Sequence, residues 1–283
     1  MNDQTVTIVG AGRLGGAVVR GYLRAGFERE RIHIVQRPGA TFERWRAQGM
    51  SVSPGFEATT SAVLVAVKPK ALAEVIAGLR ASPWPSTPVI SLASGMSLAT
   101  WRTELGPRFP VLRARANVLV ASGRGNVLLA TGADPTVEAT VLRLLEPLGT
   151  VHRVPEPDMV AQTWFSSSLP IVGVSRVLLA GLASEREPSR LETADQLVLQ
   201  ALRGLTEQLA EAAQAAESRG ERFSLSTALE QLVDQVATPG GMNATAFELL
   251  ERGGLSDLLE SVHQAYLSKE GLEPPSDDPE EQR

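Results

Sequence analysis

The chain has 283 residues, a length that favours two domains, and its 43% hydrophobic and 21% charged residues are ordinary for a soluble globular protein. Its formal net charge is −5, and no basic cluster suggests a nucleic-acid footprint. Cysteine is absent, which excludes disulfides, thiolate metal sites and a cysteine nucleophile.

The three histidines, His33, His152 and His263, are far apart, so no metal site is expected. The N-terminal stretch enters a strand pattern almost at once, without the basic and apolar regions of a signal peptide. No uncharged stretch reaches the roughly 18 residues of a membrane helix. The expectation is a cytoplasmic protein with no membrane contact.

The first pattern, TVTIVGAGRLGGAVVRGYLRAGF at 5–27, reads strand, tight glycine turn, helix. It contains G-x-G-x-x-G at Gly10, Gly12 and Gly15 in the context that makes this spacing meaningful. Gly10 makes the turn, Gly12 admits a pyrophosphate close to the backbone, and Gly15 lets the helix pack on the strand. The helix N-terminus, with Arg13 and Leu14 in its first turn, then faces the phosphates. The second strand, in RIHIVQR at 31–37, ends without the acidic residue that binds the ribose hydroxyls of NAD. Gln36 and Arg37 stand there instead, and a guanidinium suits a 2′-phosphate. NADPH is therefore expected, with NADH as the alternative.

SAVLVAVKP at 61–69 is an apolar run of the kind found in a strand buried on both faces. ALAEVIAGLR reads as a helix, TPVISLAS as a strand and SLATWRTEL as a helix. PVLRARANVLVASGRGNVLLATG gives two strands around a Ser-Gly-Arg-Gly turn, followed by the helix PTVEATVLRLLEPLG and the strand TVHRV. Strands alternating with helices predict an α/β Rossmann domain with a doubly wound parallel sheet over residues 1–155. Only helix patterns follow, including one with Pro170 inside it, so an all-helical domain is expected over 156–271. The acidic, proline-rich 272–283 reads as a disordered tail. The alanine-rich helical half either forms a compact monomeric bundle or interleaves with a second chain. Within it, QVATPGGMNATAFELLERGG at 235–254 runs from a Pro-Gly-Gly turn into an amphipathic helix, the start of an anion-binding helix.

Taken together, IVGAGRLGGAVVRG, VLVAVKPK, VISLASGMSL and DQVATPGGMNATAFELLERGGLSDLLESVHQAY resemble the pyrroline-5-carboxylate reductases, in order, up to about residue 270. The resemblance implies reduction of the cyclic imine 1-pyrroline-5-carboxylate to proline with NADPH or NADH. It implies a Rossmann domain, a helical domain forming an intertwined homodimer that can assemble further, and a substrate pocket at the dimer interface. Ala66, Val67, Lys68 and Pro69 look like the segment lining the cofactor. The Pro-Gly-Gly loop looks like the substrate loop, usually S-P-G-G-T-T. By that resemblance Thr238, Gly240, Gly241 and Met242 hold the substrate carboxylate. The imine-nitrogen contact falls on Asn243, so Thr238 and Asn243 are the candidate catalytic residues. Asparagine is equally suited to capping the helix.

Two segments depart from the family pattern. P-N-T-P appears as R-A-N-V-L, keeping only Asn117, a candidate cofactor contact. S-G-S-G-P-A-Y appears as S-S-S-L-P-I-V at 166–172, which keeps Ser166, Ser168 and Pro170; Ser168 is a candidate substrate contact. Leu169 in place of a glycine is expected to reshape the pocket. The hydride transfer needs no histidine–carboxylate dyad. No lysine lies between Lys70 and Lys269, which argues against the similar β-hydroxyacid dehydrogenases. The alternatives are an imine reductase for a different cyclic imino acid and a catalytically idle nucleotide-binding homologue.

Overall fold

A computed structural model describes residues 4–56, 60–84, 86–130, 132, 134–184, 188–236 and 242–269. Among these residues eight strands form one sheet: β1 (Val6–Val9), β2 (Ile32–Val35), β3 (Ser51–Ser53), β4 (Ala62–Val65), β5 (Val89–Ser91), β6 (Val111–Ala116), β7 (Gly125–Ala130) and β8 (Gly149–Val154). Their order is β3-β2-β1-β4-β5-β6-β7-β8. All four residues of β1 and of β4 are buried, which is why both read as unbroken apolar runs.

Helices cover both faces. On one face lie α1 (Arg13–Arg24), α2 (Ala40–Ala47) and α5 (Pro135–Leu145); their Val18, Tyr22, Trp45 and Leu144 share a core with Ile8 and Leu129. On the other lie α3 (Leu72–Ala81) and α4 (Leu98–Leu105), where Ile76, Leu79 and Trp101 pack with Val63 and Val65. Strand β1 pairs with β2 on one side and β4 on the other, both parallel. The winding direction reverses there, opening a crevice at the carboxyl ends of β1 and β4.

Two details differ from the sequence reading. The sequence reading assigned no element to the segment that forms helix α2 and strand β3. The helix is fixed largely by Trp45, whose buried indole N–H donates to the Ala11 carbonyl at 2.9 Å. Strands β6 and β7 are antiparallel, with Ala114 opposite Leu129, within an otherwise parallel sheet. The cause is local: VLVAS folds as a 3₁₀ turn, Val118–Ser122, and turns the chain back in too few residues for a parallel crossover.

The remaining helices are α6 (Met159–Thr163), a π-helix over Trp164–Gly173, α7 (Val174–Ser184), α8 (Pro188–Ser218), α9 (Leu225–Val236), α10 (Met242–Arg252) and α11 (Leu255–Lys269). The chain divides into two compact units, Met1–Ile171 and Val172–Arg283. In the first, Met159 packs beside Leu128 and Ala130 of β7. In the second, Leu197, Leu199, Leu249 and Leu258 are exposed, and among the described residues only Ala216 and Leu267 are buried apolar side chains.

One helical run, Glu156–Ala183, is long and apolar enough to cross a membrane by length and composition, an 18-residue stretch within it having a mean hydropathy of 1.5. The sequence had offered no such candidate. Its first turns are committed to the sheet: Met159, Val160 and Trp164 are buried, and the Ser166 carbonyl is hydrogen-bonded to Asn117.

Candidate dinucleotide site

The glycine turn follows β1 because only a glycine fits at residue 10. Its φ is +86°, and a Cβ there would lie 2.6 Å from Cγ1 of Val67 and 3.1 Å from the Ala66 carbonyl oxygen. At Gly15 a Cβ would fall 1.9 Å from the Gly10 carbonyl oxygen, so α1 could not pack as it does. Gly12 is different: a Cβ there meets nothing within 4 Å, because it would project into open space beside the turn. That space is the crevice at the switch point. No side chain caps the N-terminus of α1, so its first N–H groups remain available to an anion. The turn is braced from β2: the Ala11 N–H donates to Oε1 of Gln36 at 3.0 Å.

Gly10, Gly12, Gln36, Arg37, Ala66, Val67 and Lys68 line this one cleft. The sequence reading missed other lining residues, among them Pro54 and Phe56 after β3, Lys70 and Ala71 just before α3, and Glu74 and Val75 within it. Phe56, Ala71 and Val75 add apolar side chains to the lining. Arg37 also borders a shallow hollow with Pro38, Gly39, Ala40 and Thr41 at the head of α2. Its Nη1 lies 3.8 Å from Oε2 of Glu74. The open space beside Gly12, the uncapped N–H groups of α1 and the Arg37 guanidinium fit a dinucleotide carrying a 2′-phosphate.

Not every candidate joins the cleft. Arg13 is exposed and Leu14 half-buried on α1, where Leu14 packs against the core. Pro69 faces a separate groove with Gly95 and Met96. Asn117 is buried with both ends of its amide in use: Oδ1 accepts from the Leu119 N–H at 3.0 Å, and Nδ2 donates to the Ser166 carbonyl at 3.0 Å. Ser168 is half-buried within the π-helix. Thr238, Gly240 and Gly241 lie outside the described residues, and Met242 and Asn243 form the first turn of α10. Among the described residues no cluster of histidine, aspartate and glutamate could hold a metal.

A doubly wound sheet with a glycine turn opening onto its switch point is the nucleotide-binding half of an NAD(P)-dependent oxidoreductase. Residues 5–95 match the family model described as NADP oxidoreductase coenzyme F420-dependent. The similarity to curated proteins runs much further along the chain. Pyrroline-5-carboxylate reductase 3 of Macaca fascicularis is 30% identical over 258 residues, covering 88% of this chain and 89% of the relative. Pyrroline-5-carboxylate reductase of Mycobacterium leprae is 28% identical over 277 residues, covering 92% and 93%. The chain belongs to the pyrroline-5-carboxylate reductase family.

Solved structures agree on the fold. Plasmodium falciparum pyrroline carboxylate reductase, crystallised with NADP bound, superimposes with a TM-score of 0.75 at 19% identity, over 95% of this chain and 98% of that one. A pyrroline-5-carboxylate reductase from Coxiella burnetii gives 0.73 at 23% identity, over the same shares.

Proposed function

We propose that this protein reduces 1-pyrroline-5-carboxylate to proline, using NADPH in preference to NADH. The observation that supports this most strongly is family similarity over 88% of the chain, which takes in the helical half as well as the cleft. When bound, the reduced nicotinamide supplies a hydride to the imine carbon. An imine is partly protonated near neutral pH and accepts hydride without a general base, so the protein's task is binding and orientation. In this reading the glycine turn and the head of α1 hold the pyrophosphate, and Arg37 receives the 2′-phosphate. The loop containing Thr238, Gly240 and Gly241, with Met242, holds the substrate carboxylate. Asn243, at the N-terminal end of α10, offers a hydrogen bond to the ring nitrogen, and the positive end of that helix favours the anion.

The helical unit supports a homodimer as the working form: it exposes Leu197, Leu199, Leu249 and Leu258, which a second copy would cover. Cytoplasmic proline synthesis is the corresponding cellular role, with residues 1–155 and 156–271 as the functional halves. A second reading, reduction of a different cyclic imino acid, is favoured by the π-helix over Trp164–Gly173. It carries Leu169 where the resembled family has a glycine, and π-helical turns often mark functional sites.

The test is cofactor oxidation by the purified protein with pyrroline-5-carboxylate or its six-membered homologue. Turnover of the five-membered ring supports the proposal, and preference for the larger ring supports the second reading. Nucleotide binding without turnover of either would mean an idle homologue.

A further inference from the structure

A carboxylate at the end of the second strand marks an NAD-binding Rossmann cleft, and β2 is followed by Gln36 and Arg37 instead. A carboxylate nevertheless reaches the same place from a different element. Glu74, in the first turn of α3, puts Oε2 3.8 Å from Nη1 of Arg37. It is the one acidic side chain among the described residues lining the cleft, beside Arg37, Lys68 and Lys70. We propose that Glu74 is a specificity-determining residue that sets the balance between NADPH and NADH. This rests on the reading that Arg37 receives the 2′-phosphate.

The physical argument concerns what Arg37 must exchange. The two side chains are 71% and 64% exposed, so their ion pair is weak and holds the guanidinium without committing it. To grip a 2′-phosphate, Arg37 must leave Glu74, whose carboxylate then stands close to a group of about two negative charges. Glu74 opposes that binding. With a ribose hydroxyl in the same place, Arg37 keeps its ion pair, and Glu74 presents an acceptor to the hydroxyl. The residue therefore penalises NADPH and not NADH, leaving a site that uses both with a moderate preference for NADPH. A purely structural role is also defined: an acid in the first turn of α3 favours the helix dipole. That role would change stability, and both cofactors alike, but not their ratio.

The test is direct binding of NADPH and NADH to the full chain, read by nicotinamide fluorescence, for the wild type, Glu74→Gln, Glu74→Lys and Arg37→Ala. Glu74→Gln should tighten NADPH about three- to tenfold and change NADH less than about twofold, an effect that shrinks in high salt. Glu74→Lys should shift the ratio further in the same direction. Parallel shifts in both cofactors, or an unchanged ratio in both variants, would overturn the role of Glu74. If Arg37→Ala leaves the ratio unchanged, the 2′-phosphate reading itself fails, so the two failures are separable.

Discussion

Asn117 donates from Nδ2 to the main-chain carbonyl of Ser166 at 3.0 Å, tying the carboxyl end of β6 to the helical segment that carries Pro170. Asn126 adds a longer contact to the same carbonyl at 3.5 Å. The other end of the Asn117 amide caps the 3₁₀ turn that reverses the chain into β7. One residue thus joins the 3₁₀ turn that reverses the chain to the start of the π-helix.

Asn117→Ala should lower stability by about 1–3 kcal/mol, because it removes the cap and a buried donor together. Asn117→Asp keeps the capping oxygen but sets a carboxylate against the Ser166 carbonyl, and should cost at least as much. Thermal melts of the two variants apportion the loss. An aspartate variant melting like the wild type would show that the bond to Ser166 contributes nothing.

The glycines of the turn should separate binding from folding. Gly12→Ala places a methyl in open space, so the melting temperature should stay within a few degrees while dinucleotide affinity falls at least about tenfold. Gly15→Ala drives a Cβ into the Gly10 carbonyl oxygen and should destabilise the chain by about 1–3 kcal/mol through overpacking. Calorimetric titration with NADPH beside thermal melts reads both. Equal losses of stability in the two variants would reject the distinction.

How much was legible in the sequence follows from the range of the interactions involved. Strands buried on both faces must be apolar throughout, so VTIV and AVLV announced themselves, and the glycine spacing encoded a turn and a helix start within six residues. Helix α2 hid because Trp45 is its only buried residue, and β3 because it is three residues long. VLVAS reads as a strand by composition. Its 3₁₀ form depends on Asn117 before it and on Gly123 after it, which adopts a left-handed conformation. In the cleft, the sequence drew attention to Gln36 and Arg37 because the end of the second strand has a fixed meaning in this fold. Glu74 was not, because its role arises from a contact between β2 and α3 that no local pattern records.

Glu156 should prove a stabilising residue. Its Oε1 accepts from the Leu98 N–H at 2.6 Å, at the first turn of α4, and from Nη1 of Arg113 at 2.8 Å. Arg113 sits inside the sheet with 9% of its side chain exposed, so losing its partner leaves a buried charge uncompensated. Glu156→Gln should cost about 1–3 kcal/mol, discounted from a fully buried pair because Glu156 is 25% exposed. Combining it with Arg113→Met should recover part of that loss. Denaturant titration of the double-mutant cycle measures the coupling, and strict additivity would mean the pair contributes little.

Tyr22 predicts the alkaline limit of the fold. Its side chain is fully buried in α1, and its hydroxyl donates to the Leu144 carbonyl in α5 at 2.9 Å. Burial raises its pKa above the ordinary value of 10, because the tyrosinate would lack water. The unfolded chain releases that proton near pH 10 while the folded chain retains it. The contribution of Tyr22 is therefore whole below pH 10 and is lost as pH rises beyond it, at up to about 1.4 kcal/mol per unit. Tyr22→Phe should cost about 1 kcal/mol at pH 8, from the lost hydrogen bond, and should remove this alkaline slope. The chain has only two tyrosines, so the difference between variant and wild type isolates Tyr22 from the other groups titrating there. Urea titrations at pH 8, 10 and 11 would show the two stability curves converging. Curves that stay parallel across that range would mean that Tyr22 titrates equally in the folded and unfolded chain.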